Sequence, residues 1–572
     1  MKFTIYFLAL FFSIQLAAQN QLAIPPVVSG STINLNIQNG TSSFYPGTTT
    51  PTYGINGVWL GPTIMANKGD SITINVTNSL TGNGNSTTIH WHGLHVAPEN
   101  DGGPHQIINQ GTTWSPSFKI RNNAGTFWYH PHGLNKTDLH VSKGIAGFFI
   151  IKDSIENTLT LPRTYGVDDY PLVVQSKAFD ILHQIAIATE MDTALFVNGT
   201  LRPYQNMPAQ IVRLRLLNGS SMRSYNFGFT ANQPFKLIGT DAGLLDSAIT
   251  LTRIRLSPGE RVELLLDLQG KLGDTIFLTN FGSELPNGIY GAATVTGMMG
   301  ATIPGYDLNP LNGADYGVLQ INVTAPTTTP TPITTFPTTL VPLTNLTSAT
   351  IDATKNFILA PETMGPDFMV EGPFRIDGVN FDMETINRIC YINNVEKWRW
   401  TNNTSIAHPI HIHNTHFNIL NVNGGPVPAY ERGNKDVVLI MPQQYVEFVT
   451  KFEDFTNDTL PYMYHCHLLH HEDDGMMGSF VVRQYPLSVE NSLEKNSFDI
   501  YPNPSYNFWQ IKSTSNEKIS SYALFDVLGK LIEENEVNSP EFKIANSNLN
   551  TGNYFLKLKS KDGVQQFKLL KY

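Results

Sequence analysis

The 572-residue chain holds only two cysteines, Cys390 and Cys466. Two thiols cannot build a disulfide framework, so stability must come from apolar cores and from any metals the chain binds. Charge is sparse as well, at 15% of residues with a formal net charge of −10 and no long run of Lys or Arg. Nothing here neutralises a phosphate backbone, which excludes nucleic acid as an expected partner. Beyond the first twenty residues no apolar run approaches the roughly 20 residues needed to span a bilayer, so no transmembrane anchor is expected. Methionine is modest too, at 14 residues without a Met-rich tract.

The chain does have 45 Gly and 35 Pro residues and abundant Thr and Asn. That composition favours short strands and turns over long helices. A chain of this length exceeds one ordinary core and predicts three or four units. Residues 1–19 read as a secretory signal: Lys2, an apolar run from Phe3 to Leu16, then Ala17-Ala18-Gln19. Alternating runs such as Ser71-Ile72-Thr73-Ile74-Asn75-Val76 predict a first β-sandwich over 22–155. A second is predicted over 158–324, with strands in Ala209–Leu217 and Arg261–Leu266 and a single histidine, His183. The Thr/Pro-rich segment 325–344 reads as an extended linker, and a third sandwich is predicted over 345–486.

Fifteen of the 16 histidines fall in or beside four short segments, two in the first predicted sandwich and two in the third. They are His90-Trp91-His92-Gly93, His130-Pro131-His132-Gly133, His408-Pro409-Ile410-His411-Ile412-His413, and His465-Cys466-His467 with His471 and Met476. Residues i and i+2 of a strand share a face, so each His-x-His presents two imidazoles side by side. Four such pairs meeting at one place supply enough nitrogen donors for several ions. A polynuclear metal site is therefore expected.

The last segment adds a thiolate, an imidazole and a thioether within a few residues, and His408 can complete the set from another strand. A His₂Cys site with a weak axial Met is an electron-transfer copper site, because soft sulfur selects copper. His465 and His467 flank Cys466 and point to the opposite face, so one residue's backbone separates the two sites. Met476 is preferred over Met477 as the thioether. Cys390, within Ile389-Cys390-Tyr391-Ile392, reads as a small buried apolar residue. His95, His105, His140, His183, His416 and His470 read as ordinary polar or packing residues.

These segments resemble those of the multicopper oxidases, the three-cupredoxin-domain family of laccases, cuprous oxidases and bilirubin oxidases, over about residues 22–485. The resemblance implies an all-β fold of three cupredoxin-like Greek-key β-sandwich domains. It implies four copper ions: type 1 on His408, Cys466, His471 and Met476, type 2 on His90 and His411. One type 3 ion falls on His92, His130 and His467, the other on His132, His413 and His465. Two acids match the family's proton-delivering positions, Asp101 in Asn100-Asp101-Gly102-Gly103-Pro104 and Glu472 after His471. Asp101 also suits a plain turn with Gly102-Gly103, and both roles stay open at this stage.

The implied reaction is one-electron oxidation of a donor coupled to reduction of dioxygen to water. His-Cys-His-Leu-Leu and His471-Glu472-Asp473-Asp474-Gly475-Met476-Met477 are similar to the periplasmic cuprous oxidases. The Met-rich insert and the acidic or Met residues before the first type 1 histidine are absent, however. Only Met364, Met369 and Met383 stand in the corresponding stretch, and Thr404, Ser405, Ile406 and Ala407 precede His408. A small organic donor, a phenol or aromatic amine, is therefore expected. The alternatives are a cuprous oxidase or copper-tolerance protein, a bilirubin-oxidase-like enzyme, and a non-enzymatic cupredoxin protein.

After Tyr485 the composition turns to Ser, Asn, Glu and Lys. Tyr501-Pro502-Asn503-Pro504, Asp526-Val527-Leu528-Gly529-Lys530, Gly552-Asn553-Tyr554-Phe555 and the tail Phe567–Tyr572 together resemble the C-terminal sorting domain of the type IX secretion system. A small β-sandwich over 498–572 is expected, with Tyr522–Ile532 read as one strand. The implied partner is the secretion machinery, and the implied location is secreted or at the cell surface.

Overall fold

The computed structural model describes residues 20–82, 85–343, 345–484, 498–561 and 563–572. The proposed signal over 1–19 lies outside them. The described chain is almost entirely β, and it divides into two compact units, Met1–Arg483 and Gln484–Tyr572. Among the described residues no helix is long and apolar enough to cross a membrane.

The larger unit holds three β-sandwiches. In the first, a five-stranded sheet runs in the order Val27–Ser29, Thr63–Asn67, Gly147–Lys152, Gly125–His130, His90–His92. It faces a sheet built on Thr32–Ser42 and Ser71–Ser79. Ile72, Ile74 and Val76 alternate inward along Ser71–Ser79, the period-two pattern that puts one face of a strand in the core. The third sandwich pairs a sheet around Ala353–Pro361, Val395–Asn402 and Tyr445–Lys451 with one around Met477–Arg483, Tyr462–Cys466 and His408–Ile412. Trp398 and Trp400 alternate inward on Val395–Asn402 and fill its core with Phe357, Phe448 and Tyr464.

The second sandwich is buried on both faces of its central strands. Ile211–Asn218 pairs with Asp169–Phe179 and Arg261–Asp267, and every residue of Ile211–Asn218 is buried. Leu214 and Leu216 point into its own core, while Arg213 and Arg215 meet a buried ionic network. Arg215 grips Asp169 through two bonds of 2.7 and 2.8 Å and reaches Glu263 at 2.9 Å. Thr126 of the first sandwich donates to the same Glu263 at 2.6 Å, which ties two sandwiches together through charge. The segment 325–343 forms no strand but packs along the second sandwich: Leu340 is buried, its N–H bonds Asp246 at 2.9 Å, and Ile333 accepts from Ile211 at 3.0 Å.

The small unit packs a three-stranded sheet, Phe498–Tyr501, Phe508–Ser513 and Glu541–Ala545, with a four-stranded one around Trp509, Leu524, Leu556 and Leu569. The run Tyr522–Ile532 is two strands rather than the single one expected, Ile519–Phe525 and Leu531–Ser539. Asp526 accepts from the N–H groups of Leu528 and Lys530 at 2.9 Å each, and Gly529 takes φ +78°. That turn chemistry overrides the apolar run.

Replacing Arg215 by Met leaves Asp169 without its bidentate partner in a dry interface and Glu263 with Arg213 as its one remaining guanidinium. We expect a loss of about 3–5 kcal/mol, read as a lower denaturant midpoint for the full chain.

Candidate metal centre

The histidine pairs sit on, or run just past the ends of, adjacent registered strands. His130 pairs with His90 in the first sandwich, and His411 with His465 in the third, where Ile410 pairs with Cys466. The two sets face each other between the sandwiches: His90 stacks on His413 at 3.8 Å and 17°, His92 on His411 at 3.7 Å and 10°. All eight rings are buried.

Three groups have ligand atoms lying within 4.8 Å of one another: His90, His411 and His413; His92, His130 and His467; His132, His413 and His465. His132 Nε2 lies 3.2 Å and His413 Nε2 3.4 Å from His465 Nε2. Behind the rings stand acceptors. Nδ1 of His90, His130 and His411 meets the carbonyls of Asp101, Pro131 and Asp436 at 2.9, 2.8 and 2.8 Å. Nδ1 of His413 meets Asp101 Oδ2 at 2.7 Å, Nδ1 of His132 lies 3.3 Å from Glu472 Oε1, and Nδ1 of His465 meets the Cys466 carbonyl at 3.1 Å with Glu472 Oε2 also 3.1 Å away. An acceptor at Nδ1 makes that nitrogen the N–H and leaves Nε2 with a bare lone pair. Nε2 of His90 and His411 is buried without a hydrogen-bond partner, as are both ring nitrogens of His467. Inward lone pairs with no proton to share are what a cation needs.

A second group lies beside the first. His408 Nδ1 is 3.5 Å and His471 Nδ1 3.8 Å from Cys466 Sγ. Thr404 Oγ1 holds the far nitrogen of His408 at 2.9 Å, and the Phe374 ring packs on both imidazoles at 4.9 and 4.8 Å. Met476 is fully buried in the core cluster that contains Cys466. Met477 instead opens the next strand, opposite His465. Of the acids, Asp101 is both a turn residue and a histidine partner: it closes the 3₁₀ turn Pro98–Asn100, and its carboxylate receives His413. Glu472 also accepts from Thr137 Oγ1 at 2.7 Å.

The remaining histidines have ordinary partners. His95 meets the carbonyl of Asn414, His105 that of Met383, His140 the hydroxyl of Thr87 and His416 the carbonyl of Gly93. Cys390 is buried in Arg388–Tyr391. Three contributors escaped the sequence reading: Asp436 and Thr404, which touch ring nitrogens, and Arg261, which grips Asp436 at 2.5 and 2.7 Å. No spacing marks them, because each reaches the site from a different strand or loop. Gly259 also matters by what it lacks, since a Cβ there would stand 2.9 Å from the His467 ring.

Residues 36–156 and 336–486 both match the multicopper oxidase family. A multicopper oxidase of Staphylococcus haemolyticus is 31% identical over 482 residues, covering 81% of this chain and 93% of that protein. The chain belongs to the multicopper oxidase family. Other relatives carry another name: the cell division protein FtsP of Escherichia coli is 30% identical over 481 residues, spanning 82% of this chain and 94% of its own length. Among solved structures, a laccase-like multicopper oxidase of Ochrobactrum sp. shares 31% identity with a TM-score of 0.70, covering 81% of this chain and 100% of that one. Residues 499–571 match the secretion system C-terminal sorting domain, which indicates export by secretion machinery. Membership of the multicopper oxidases implies copper binding, and the thiolate-imidazole donor set fits copper.

Burial governs the electrostatics of the oxidase site. It drives the imidazoles towards the neutral form, His130 down to about 3, His132 to about 4 and His408 to about 3, with neighbouring imidazoles adding to the effect at the first two. Burial also pushes the Cys466 thiol up and raises Asp101 well above the usual carboxylate range. At Glu472 burial works the same way, but His132 and His465 beside it win and hold the carboxyl low. Because these imidazoles titrate below the ordinary 6.5 in the folded protein, their contribution to stability is complete above that pH. It is lost as pH falls, when the unfolded chain takes protons that the folded one refuses. Counting only His130, His132 and His408, the metal-free protein should lose about 4 kcal/mol per pH unit below roughly pH 6, measured as a falling Tm between pH 7 and 5. An unchanged Tm over that range would contradict the assigned burial.

Proposed function

We propose that the protein is an exported laccase-like oxidase that takes single electrons from phenols or aromatic amines and passes them to dioxygen. The observation that carries this reading is the pairing of a buried Cys-His-His-Met group with an eight-histidine cluster through the consecutive residues His465, Cys466 and His467 at the end of one strand. His408, Cys466, His471 and Met476 would hold type 1 copper. His90 and His411 would hold type 2, and His92, His130, His467 with His132, His413, His465 the type 3 pair. Copper supplies one-electron exchange at the thiolate and a multi-electron store at the cluster, which four-electron reduction of dioxygen requires.

The chain's own residues do the rest. Cys466 joins its flanking histidines covalently, so an electron crosses one residue's backbone to reach the cluster. His471 keeps 5% of its surface whereas His408 and Cys466 keep none, so a donor approaches from the His471 side. Glu472 lies 3.3 and 3.1 Å from Nδ1 of His132 and His465 and accepts a hydrogen bond from Thr137, within reach to relay protons inward. Asp101, raised by burial, is a second carboxyl group beside His90 and His413. Two carboxyl groups whose environments push them apart divide acid and base duties.

An organic donor is favoured because Thr404, Ser405, Ile406 and Ala407, ahead of His408, offer neither thioether nor carboxylate. The Ochrobactrum relative is described as active towards lignin model compounds. The FtsP likeness raises a reading without catalysis, and the completeness of the ligand set weighs against it. Export would use the signal over 1–19 and the C-terminal unit from 498, with sandwich boundaries near 155, 324 and 486.

Oxygen uptake by the copper-loaded protein should respond to a substituted phenol more strongly than to Cu(I) at matched concentration. Uptake with Cu(I) alone would overturn the choice of donor. Cys466→Ser should abolish both the blue absorption and all uptake, and surviving turnover there would refute the electron path. Glu472→Gln should keep its copper while kcat falls by about 100-fold or more.

A further inference from the structure

A cavity of about 650 Å³ opens on the second sandwich, and none of the proposed copper ligands lines it. Its size falls in the roughly 300–1,000 Å³ range of small-molecule sites. The floor is the outer face of two paired strands, Thr275–Phe281 and Asp315–Thr324. Ile276 and Leu278 turn into the sandwich core, so Phe277, Thr279 and Phe281 turn outward. Across the strand pair Phe277 stands opposite Gln320, Thr279 opposite Gly317 and Phe281 opposite Asp315, and all six residues line the cavity.

We propose that this cavity binds a neutral oligosaccharide, at a site separate from the oxidase chemistry. The sheet is left open there for a ligand. Gly317 lies inside its strand, exposed and outside the left-handed region, so its backbone does not call for glycine. What it provides is space. The nearest neighbours of a Cβ at Gly317 would all be Phe277 ring atoms, the first at 3.0 Å, so a ligand reaches bare strand beside an aromatic ring. The register also shifts here, between Leu278 and Thr279, and bulges re-aim side chains beside binding sites. Three further lining residues, Arg202, Ala231 and Asn232, hold φ of 49°, 57° and 52°. Left-handed backbone is uncommon for Arg and Ala, and such strain gathers where a ligand is held.

Charge and shape select the class of ligand. Arg202 and Arg253 are balanced by Glu284 and Asp315, so a charged ligand gains nothing overall. Phe277, Tyr45 and Tyr316 add aromatic surface, and the negative face of a ring attracts the weakly positive C–H groups of a pyranose. Sugar hydroxyls both donate and accept, which suits donors and acceptors set side by side. Arg253 and Glu284 supply both in a fixed arrangement. The guanidinium lies 3.3 Å over the Phe281 ring, Nε donates to Glu284 Oε2 at 3.0 Å, and Nη2 donates to Asn232 Oδ1 at 2.8 Å. Gly228 makes room for that stack, since a Cβ there would stand 2.8 Å from Arg253 Nη1 and 2.9 Å from Phe281 Cε2. A phenolic acid would call for unbalanced positive charge, and a purely apolar ligand would bury these polar groups without partners.

The test is calorimetric titration of the full-length protein with cellotetraose, xylotetraose and mannotetraose, against tetragalacturonic acid and 4-hydroxybenzoate. Saturable binding of at least one neutral tetrasaccharide, tighter than either acid, is expected. No binding of any of the three, or tighter binding of an acid, would overturn the proposal. Gly317→Leu fills the floor at an exposed strand position, and Phe277→Ala removes the ring. Each should raise the Kd of the bound sugar by about 10-fold or more, with the oxidation of a soluble phenol unchanged. Unaltered sugar affinity in both variants would overturn the assignment to this cavity. The heat of sugar binding reads the site whether or not the protein oxidises a phenol, so the two readings fail separately.

Discussion

Eight imidazoles are packed nitrogen to nitrogen in a dry seam between two β-sandwiches, and the rest of the molecule is arranged around that constraint. A buried polar atom without a partner costs about 1–3 kcal/mol, and the seam contains several, including Nε2 of His90, His411 and His467. Lone pairs that close together repel, and a bound cation converts the same geometry from a liability into an attraction. Until then the surrounding protein must hold the rings apart from better partners. It does so from behind, with carbonyls and carboxylates on the outward nitrogens.

This explains why the second sandwich persists without a single cluster histidine. Its contribution is charge and clearance. Arg261 braces Asp436, and Glu260 and Asp241 hold Lys435, next to Asp436, at 2.8 and 3.1 Å. Gly259 gives His467 the space a side chain would take. Arg213 and Arg215 satisfy Glu263, Glu156 and Asp169 in the seam with the first sandwich. Buried ion pairs contribute little net stability against apolar packing, yet losing one partner is costly. Such networks keep the sandwiches at one spacing, and spacing is what a cluster shared between them demands.

The thiolate group obeys a different rule. It lies in the third sandwich, where His408 and Cys466 come from two strands, His471 from a short helix and Met476 from the turn after it, with Phe374 packed on both imidazoles. Its geometry therefore depends on one core alone. The strand Tyr462–Cys466 joins the two regimes, sending Cys466 and Tyr464 into that core and His465 into the seam. Alternation along a strand, the most local feature of β-structure, thus sets the route between the two groups.

Much of this was legible in the sequence because period-two alternation and His-x-His spacing are local. Chain order alone fixed the all-β class, the four histidine segments and the thiolate group, and it favoured Met476 over Met477. It also placed Asp101 and Glu472 next to ligands, but left open whether Asp101 turned the chain or served the site. In the structure it closes a turn, and its carboxyl group meets His413 Nδ1. Tyr522–Ile532 went the other way: its apolar pattern masked a turn that Asp526 and Gly529 impose. Only tertiary structure could decide which ring nitrogen each histidine offers, since that depends on acceptors such as Asp436, distant from His92 in the chain. Residue types and their spacing select the metal, whereas the direction of a lone pair is set by whatever the fold packs behind the ring.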